Sequence, residues 1–214
     1  MTATVTRIFV LCVLALVGLP LTHGGFNETY ASRKKSGSGD STCICTTTAC
    51  PVAGSNELTE GDGLVGVYEY ALHGSQPVVV SAKATITKAD LDKGTDTVKC
   101  TQDYARMMDD DGSVDADAGH ILAHRLGGLG SSPINIFPQD LSINRGVYAQ
   151  FENKIYDCVT SGASSADLSW TFHYSSSSKT KPDKVVYNAK FHGGSCTTLA
   201  ETFTTGRSNF GLQD

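Results

Sequence analysis

Long apolar segments are scarce in this sequence, and the one that exists lies at the N-terminus. Residues 8–19 are apolar throughout and follow Arg7, but a membrane-spanning helix needs about 20 such residues. No later segment is long and apolar enough to span a bilayer. A cationic start, a short apolar core and the small residues Thr22 and Gly24 instead predict a secretory signal peptide, residues 1–24, and therefore a secreted protein. A retained membrane anchor is the alternative.

An excess of positive charge is also absent. The chain has 17 Lys and Arg against 22 Asp and Glu, a net charge of −5. Tight nucleic-acid binders usually present a basic face, so the composition excludes binding through a broad positive field. An anionic ligand would have to be bound by a few local cations or by a metal ion.

The acidic run 109–111 lacks the glutamate that a calcium-binding loop carries at position 12, and we interpret it as an acidic turn.

The Cys-x-x-Cys spacing that is typical of structural zinc sites is missing as well. Of the seven cysteines, Cys12 leaves with the signal peptide, and an even remainder in an exported chain predicts up to three disulfides. Cys43 and Cys45 are separated by one residue and should reach different partners. We expect the N-terminal three to pair with the later three, which are Cys100, Cys158 and Cys196.

Composition divides the chain into three parts. After the signal peptide, residues 25–62 are poor in regular pattern and include a Gly- and Ser-rich stretch, which predicts a flexible, cysteine-containing segment. Residues 63–214 are expected to form one folded domain. Alternating apolar residues predict a hairpin over 64–87 that turns near 73–75, and later strands at 168–174 and 184–191. Strands on both sides of a helical region indicate an α+β domain.

The stretch from Asp117 to Glu152 is the most informative part of the sequence. Its pattern suggests two strands followed by a helix. In order, it contains Asp-Ala-Gly-His at 117–120, Leu-Gly-Gly at 126–128, Asn-Ile-Phe-Pro-Gln at 135–139 and Asn-Arg-Gly at 144–146. One histidine, two asparagines and one glutamate in this order are the groups that a single-metal phosphodiesterase site needs.

The chemistry of these residues can be argued from their types. Phosphodiester hydrolysis needs an activated water and neutralisation of developing charge. His120 suits a general base near neutral pH, unless it is a buried structural histidine. Asn144 offers an oxygen to Mg²⁺, or caps a helix. Glu152 would lie roughly 12 Å and 80° from Asn144 on a straight helix. Either the helix is not straight, or Glu152 acts through water; a solvated helix face is the alternative.

Together the blocks resemble the DNA/RNA non-specific endonucleases, a family of the ββα-metal superfamily, over about residues 117–158. The resemblance implies a ββα-metal finger core on an antiparallel sheet, stabilised by disulfides, with His120 as the base. It also implies that Asn135 helps to hold the base and the phosphate, that Asn144 ligates the metal directly, and that Glu152 does so through water. The implied cofactor is Mg²⁺, with Mn²⁺ able to replace it, and the implied substrates are DNA and RNA, cut to leave 5′-phosphates.

One position departs from the family pattern. Many members carry an arginine where this chain has Ala118, and that arginine would bind the phosphate. We expect Arg145 to take its place, with Arg125 and Arg106 as alternatives, and Asp117 to orient a neighbour. The sequence thus predicts a secreted, magnesium-dependent endonuclease.

Two further hypotheses accompany this prediction. The alternative function is a catalytically weak or inactive nuclease-fold protein that binds nucleic acid or a host factor. The basic cluster at 33–35 suggests a pathogen effector that is translocated into host cells, although such clusters are most often merely solvated. Nothing in the sequence predicts the oligomeric state.

Overall fold

A computed structural model describes residue 45, residues 48–111 and residues 116–205 of the chain. The predicted signal peptide, the basic cluster at 33–35 and Cys43 lie outside these residues. All described residues belong to one compact unit, Gly39–Asp214. Among them, no helix combines the length and the hydropathy needed to cross a bilayer.

Antiparallel pairing organises the described chain into one large and one small sheet. The six-stranded sheet has the order β1-β2-β3-β6-β7-β8, and β4 pairs with β5 separately. The strands are β1 (Gly54–Thr59), β2 (Val65–His73), β3 (Gln76–Thr87), β4 (Ala116–His120), β5 (Ile136–Asp140), β6 (Ser165–His173), β7 (Lys184–His192) and β8 (Leu199–Thr204).

The small sheet leads directly into a helical segment, so that β4, β5 and this segment form a ββα motif. The segment consists of α2 (Leu141–Ile143), a π-helical turn (Asn144–Tyr148) and α3 (Ala149–Ser161). One more helix, α1 (Lys99–Met108), precedes β4. The α+β class and the ββα core on an antiparallel sheet, both predicted from the sequence, are confirmed.

Two apolar clusters hold the motif in place. Helix α3 buries Phe151, Ile155 and Val159 against the large sheet, where apolar surface removed from water stabilises the fold by roughly 25 cal/mol per Å². The indole nitrogen of Trp170 donates to the Tyr148 hydroxyl at 3.1 Å and satisfies the polar edge of this cluster. A smaller cluster packs Tyr104, Ala105 and Met108 of α1 against β4 and β5. The site-bearing strand β4 is thereby fixed beside α1.

A buried ion cluster ties the end of β5 to two segments outside the motif. The Lys181 ammonium is 2 % exposed and lies 2.6 Å from carboxylate oxygens of both Asp111 and Asp140, and 3.2 Å from Asp109. A buried charge is tolerated when it is paired. The predicted acidic turn therefore fixes the end of α1 to the end of β5, just before the helical segment begins.

Several sequence predictions hold and others do not. The hairpin turns at Gly74 and Ser75, between β2 and β3, as predicted. The sheet begins earlier than the expected boundary, because β1 lies inside the segment that was predicted to be flexible. Strand β1 buries only Asn56 and is held at the sheet edge by backbone pairing to β2, so its apolar pattern is weak.

The predicted disulfide scheme is wrong in part. Cys45 pairs with Cys100, as expected of the N-terminal cysteines. Cys158 and Cys196 pair with each other, although both were expected to reach the N-terminal three. The reason is the fold: Cys158 lies on the last turns of α3, and Cys196 lies between β7 and β8, the pair of strands that the helix covers.

Candidate active site

Four of the predicted site residues meet at one cavity of about 260 Å³ beside the ββα motif. His120 comes from the end of β4, Asn144 and Arg145 from the π-helical turn, and Glu152 from α3. An adjoining cavity of about 420 Å³ shares the first three residues and extends toward α1. The two cavities form a groove on either side of His120. A larger hollow of about 490 Å³ lies on the large sheet and contains none of the predicted residues.

The imidazole of His120 is held in one tautomer. Its Nε2 lies 3.1 Å from the carbonyl oxygen of Thr95. A carbonyl oxygen only accepts hydrogen bonds, so Nε2 carries the hydrogen, and Nδ1 keeps its lone pair in the neutral ring. Burial, with a smaller contribution from His124, lowers the pKa of His120 below its ordinary value. The ring is therefore neutral near pH 7 and can accept a proton.

Two separate loop segments, one with Thr95 and one with Gly130, support this ring. The Gly130 amide donates to the same Thr95 carbonyl at 2.9 Å. A Cβ atom at Gly130 would lie 2.4 Å from Nε2 of His120, so only glycine fits here. Neither residue was predicted. The spacing of Thr95 from the motif gives no signal, although Gly130 does follow the Leu-Gly-Gly block closely.

Asp117 orients two residues of the π-helical turn, as expected of an acid that orients a neighbour. Its carboxylate accepts from Asn144 Nδ2 at 3.0 Å, and from Arg145 Nε and a terminal nitrogen at 2.8 and 3.0 Å. Because the amide nitrogen of Asn144 faces Asp117, its oxygen is turned away from that carboxylate. The alternative role of Asn144 as a helix cap is not observed, since Asn144 has helical backbone angles and no side-chain cap is present.

The helix between Asn144 and Glu152 is not straight. Gly146 departs from helical angles, with φ −105° and ψ −109°, inside the π-helical turn. Such turns interrupt helices frequently at functional sites. The separation expected on a straight helix therefore does not apply, and both side chains line the same cavity.

Glu152 is the group that best fits a bound cation. Its Oε1 atom is buried and has no hydrogen-bond partner among the described residues, and burial raises the pKa of Glu152 to about 8. An unpaired buried carboxyl is costly. Carboxylate and amide oxygens are the ligands that Mg²⁺ and Ca²⁺ prefer, so Glu152 and Asn144 fit a hard divalent ion.

The expected role of Asn135 in holding the phosphate does not fit the structure. Asn135 is fully buried, and a buried side chain cannot reach a substrate. Its Oδ1 accepts from the Leu122 amide at 2.8 Å and its Nδ2 donates to the Leu122 carbonyl at 2.9 Å. Asn135 fixes the chain just after His120, in line with the other part of the expectation, that it helps to hold the base.

All three candidate arginines border the groove. Arg145 and Arg125 line the cavity with Glu152, while Arg145 and Arg106 line the adjoining one beside Ala118. Arg125 is also engaged at the surface of α3, where its guanidinium stacks 3.9 Å from the centroid of Tyr156 and donates to an asparagine at 2.7 Å. Of the other histidines that the structure describes, His124 lines the cavity with Glu152, and those at 73, 173 and 192 line neither cavity.

Comparison with known proteins gives a family and several relatives. Residues 68–193, more than half of the chain, match the model of the family described as DNA/RNA non-specific endonuclease. The chain is 40% identical over 121 residues to the probable deoxyribonuclease RhsA of Dickeya dadantii (strain 3937), and this match covers 56% of the chain but only 8% of that protein.

Solved structures give more distant likenesses. NucA from Streptococcus agalactiae with magnesium ion bound has a TM-score of 0.47 and 12% identity, over 72% of this chain and 85% of that one. A chain of the EndoG/EndoGI complex has a TM-score of 0.47 and 12% identity, over 73% and 75%. With the ββα motif and the family match together, the chain belongs to the DNA/RNA non-specific endonuclease family.

Proposed function

We propose that this chain is an endonuclease that hydrolyses phosphodiester bonds of DNA and RNA. It uses one divalent cation, Mg²⁺ or Mn²⁺ in its place, and His120 as general base. The observation that carries the proposal is the meeting of His120, Asn144 and Glu152 at a single cavity. The name of the relative RhsA, a probable deoxyribonuclease, supports DNA as one substrate.

His120 supplies the basic nitrogen. Because the Thr95 carbonyl holds the hydrogen on Nε2, Nδ1 is the atom that takes a proton from an attacking water. A lowered pKa keeps this nitrogen unprotonated at neutral pH. Attack by water does not need a 2′-hydroxyl, so the same site can act on DNA and on RNA, and 5′-phosphate products follow from the family resemblance.

Asn144 and Glu152 would hold the cation, Asn144 through its amide oxygen and Glu152 through bound water. A divalent cation at this place would supply charge that offsets the negative charge of the phosphate in the transition state. Asp117 contributes by fixing the Asn144 amide through its nitrogen at 3.0 Å. Carboxylates that bond to a metal ligand in this way commonly fix its orientation.

Arg145 and Arg106 would bind the phosphates and replace the arginine that is missing at Ala118. Both line the groove next to Ala118. Their guanidinium groups are largely exposed, with side-chain exposures of 66% and 55%, although each pairs with one aspartate. An arginine can bind a phosphate through donors that an aspartate leaves unused, because it has five. Local cations of this kind compensate for the acidic net charge.

The replacement of His120 by alanine tests the base. We expect His120→Ala to lower kcat about 10²- to 10⁴-fold on DNA and RNA with Mg²⁺, and EDTA to abolish cleavage by the wild type. His173→Ala is the control, because His173 is exposed on β6 and lines neither cavity. Full activity of His120→Ala, or cleavage that persists in chelator, would contradict the mechanism. A wild type that binds nucleic acid without cutting it would favour the inactive alternative.

The arginine assignment can be tested with a pair of variants on one helix. Arg106 and Lys99 both pair with Asp103 of α1, at 3.2 and 2.5 Å, but Lys99 does not line the groove. Loss of a charge-assisted hydrogen bond to phosphate should raise KM about tenfold in Arg106→Ala, measured by cleavage of a short duplex. Lys99→Ala should leave KM within about twofold of the wild type. Equal changes in both variants would show a general charge effect and refute a phosphate contact at Arg106.

We infer that the protein is exported. The inference is supported by the disulfides Cys45–Cys100 and Cys158–Cys196, since such bonds persist in oxidising compartments. Expressed in full in a secreting host, the protein should reach the medium with a new N-terminus within a few residues of Gly24. Retention in the cell with residues 1–24 intact would contradict export.

Delivery into host cells rests on the basic cluster at 33–35, and uptake that is unchanged when this cluster is replaced by alanine would count against it.

A further inference from the structure

We propose that Glu60, which lies outside the residues 68–193 that match the family, is a positioning residue for His120. The proposal rests on the proposed function of His120 as the base. Glu60 follows β1 at the start of a short 3-10 turn and is only 3% exposed. Its two carboxylate oxygens start two separate chains of hydrogen bonds, and both chains end at His120 or at the residues next to it.

The first chain runs behind the imidazole. The Leu129 amide donates to Glu60 Oε2 at 2.6 Å, and the next amide, that of Gly130, donates to the Thr95 carbonyl at 2.9 Å. This is the carbonyl that accepts from His120 Nε2. Because Gly130 also packs against Nε2, a shift of the 129–130 backbone would move both the ring and its hydrogen-bond acceptor.

The second chain runs beneath the strand that carries His120. The Tyr68 hydroxyl is bonded to Glu60 Oε1 and also lies 3.0 Å from Asn135 Oδ1. Asn135 in turn bonds the Leu122 backbone through its side chain and accepts from the Ile121 amide at 2.8 Å. Residues 121 and 122 directly follow His120, so this series of hydrogen bonds fixes the backbone on the C-terminal side of the base.

Proton counting explains why a carboxyl group suits this place. Tyr68 has one hydroxyl hydrogen but two nearby acceptors, on Glu60 and on Asn135. A protonated Glu60 can donate to the Tyr68 oxygen, which lets Tyr68 donate to Asn135 and completes the chain. Burial raises the pKa of Glu60 to about 7, so the neutral form is well populated. In the described part of the chain, Tyr68 is the one ionisable side chain that bonds Glu60.

A buried carboxyl without a cationic partner is costly. Two hydrogen bonds offset this cost at Glu60, because an apolar side chain here would leave the Leu129 amide and the Tyr68 hydroxyl without this partner. Glutamine should serve almost as well, because its amide nitrogen can donate to Tyr68 while its oxygen accepts from the Leu129 amide.

The test compares Glu60→Ala and Glu60→Gln with Glu57→Ala, a control on the exposed face of β1. Because the ring would be misplaced, Glu60→Ala should lower kcat about 10- to 100-fold with KM changed by less than about twofold. In the same variant, the NMR titration of His120 should shift up toward its ordinary pKa of 6.5, since a loosened ring is better hydrated. Glu60→Gln should restore most of both properties.

Three results would overturn the proposal. They are a folded Glu60→Ala with wild-type kcat and His120 titration, an equal loss in Glu57→Ala, and a Glu60→Gln no better than Glu60→Ala. If Glu60→Ala does not fold, Tyr68→Phe decides, because it breaks only the second chain and keeps the ring; it should lower kcat and shift His120 in the same direction, and no change would refute the proposal. If the wild type does not cleave nucleic acid, the proposed function fails, but the His120 titrations still test the role of Glu60.

Discussion

The bonds from Asp117 to Asn144 and Arg145 are the contacts on which the site depends. Asp117 lies on β4, three residues before His120, while Asn144 and Arg145 lie on the helical segment. A two-stranded sheet and a helix have no fixed relative orientation unless side-chain contacts join them. Here one carboxylate receives three hydrogen bonds of 2.8–3.0 Å and links the element that carries the base to the element that carries the metal ligand. The Lys181 cluster adds a tie between the ends of α1 and β5, and the apolar face of α3 fixes the helical segment to the large sheet.

Two buried carboxyl groups show how an acidic protein can build such a site. Burial raises the pKa of Glu152 to about 8 and that of Glu60 to about 7, from an ordinary value of 4.5. Each group therefore contributes stability in the metal-free protein that is fully present below about pH 4.5 and is lost as pH rises through its raised pKa. At Glu152 a bound cation would offset this loss of stability, because it favours the ionised carboxylate. Glu60 forms no ion pair within the part of the chain that the structure describes, and hydrogen bonds to Tyr68 and Leu129 offset the cost of its burial.

The sequence predicted the ββα motif because its residues are contiguous and their types are specific to the chemistry. His120, Asn144, Arg145 and Glu152 meet as expected. The expected phosphate contact of Asn135 does not fit its burial, of which an asparagine near a turn gives no sign; its expected part in holding the base fits its bonds to the Leu122 backbone. Thr95 acts through its carbonyl, so its side-chain type carries no signal. The pairing of Cys158 with Cys196 and the place of Glu60 depend on contacts between distant segments, which no local pattern encodes. Helix α1 does show its buried positions, 101, 104, 105 and 108, at helical spacing, so it could have been predicted.

The central claim is that one divalent cation binds between Asn144 and Glu152, and the release of protons on binding tests it most directly. Titration calorimetry with Mg²⁺, run near pH 7 in two buffers of different ionisation enthalpy, should show about one proton released per ion. The proton comes from Glu152, whose pKa of about 8 keeps it mostly protonated at that pH, and the release should fall as pH rises above this value. Glu152→Gln should bind Mg²⁺ more weakly and release no proton from this group. Equal affinity and equal proton release in the wild type and in Glu152→Gln would contradict the account.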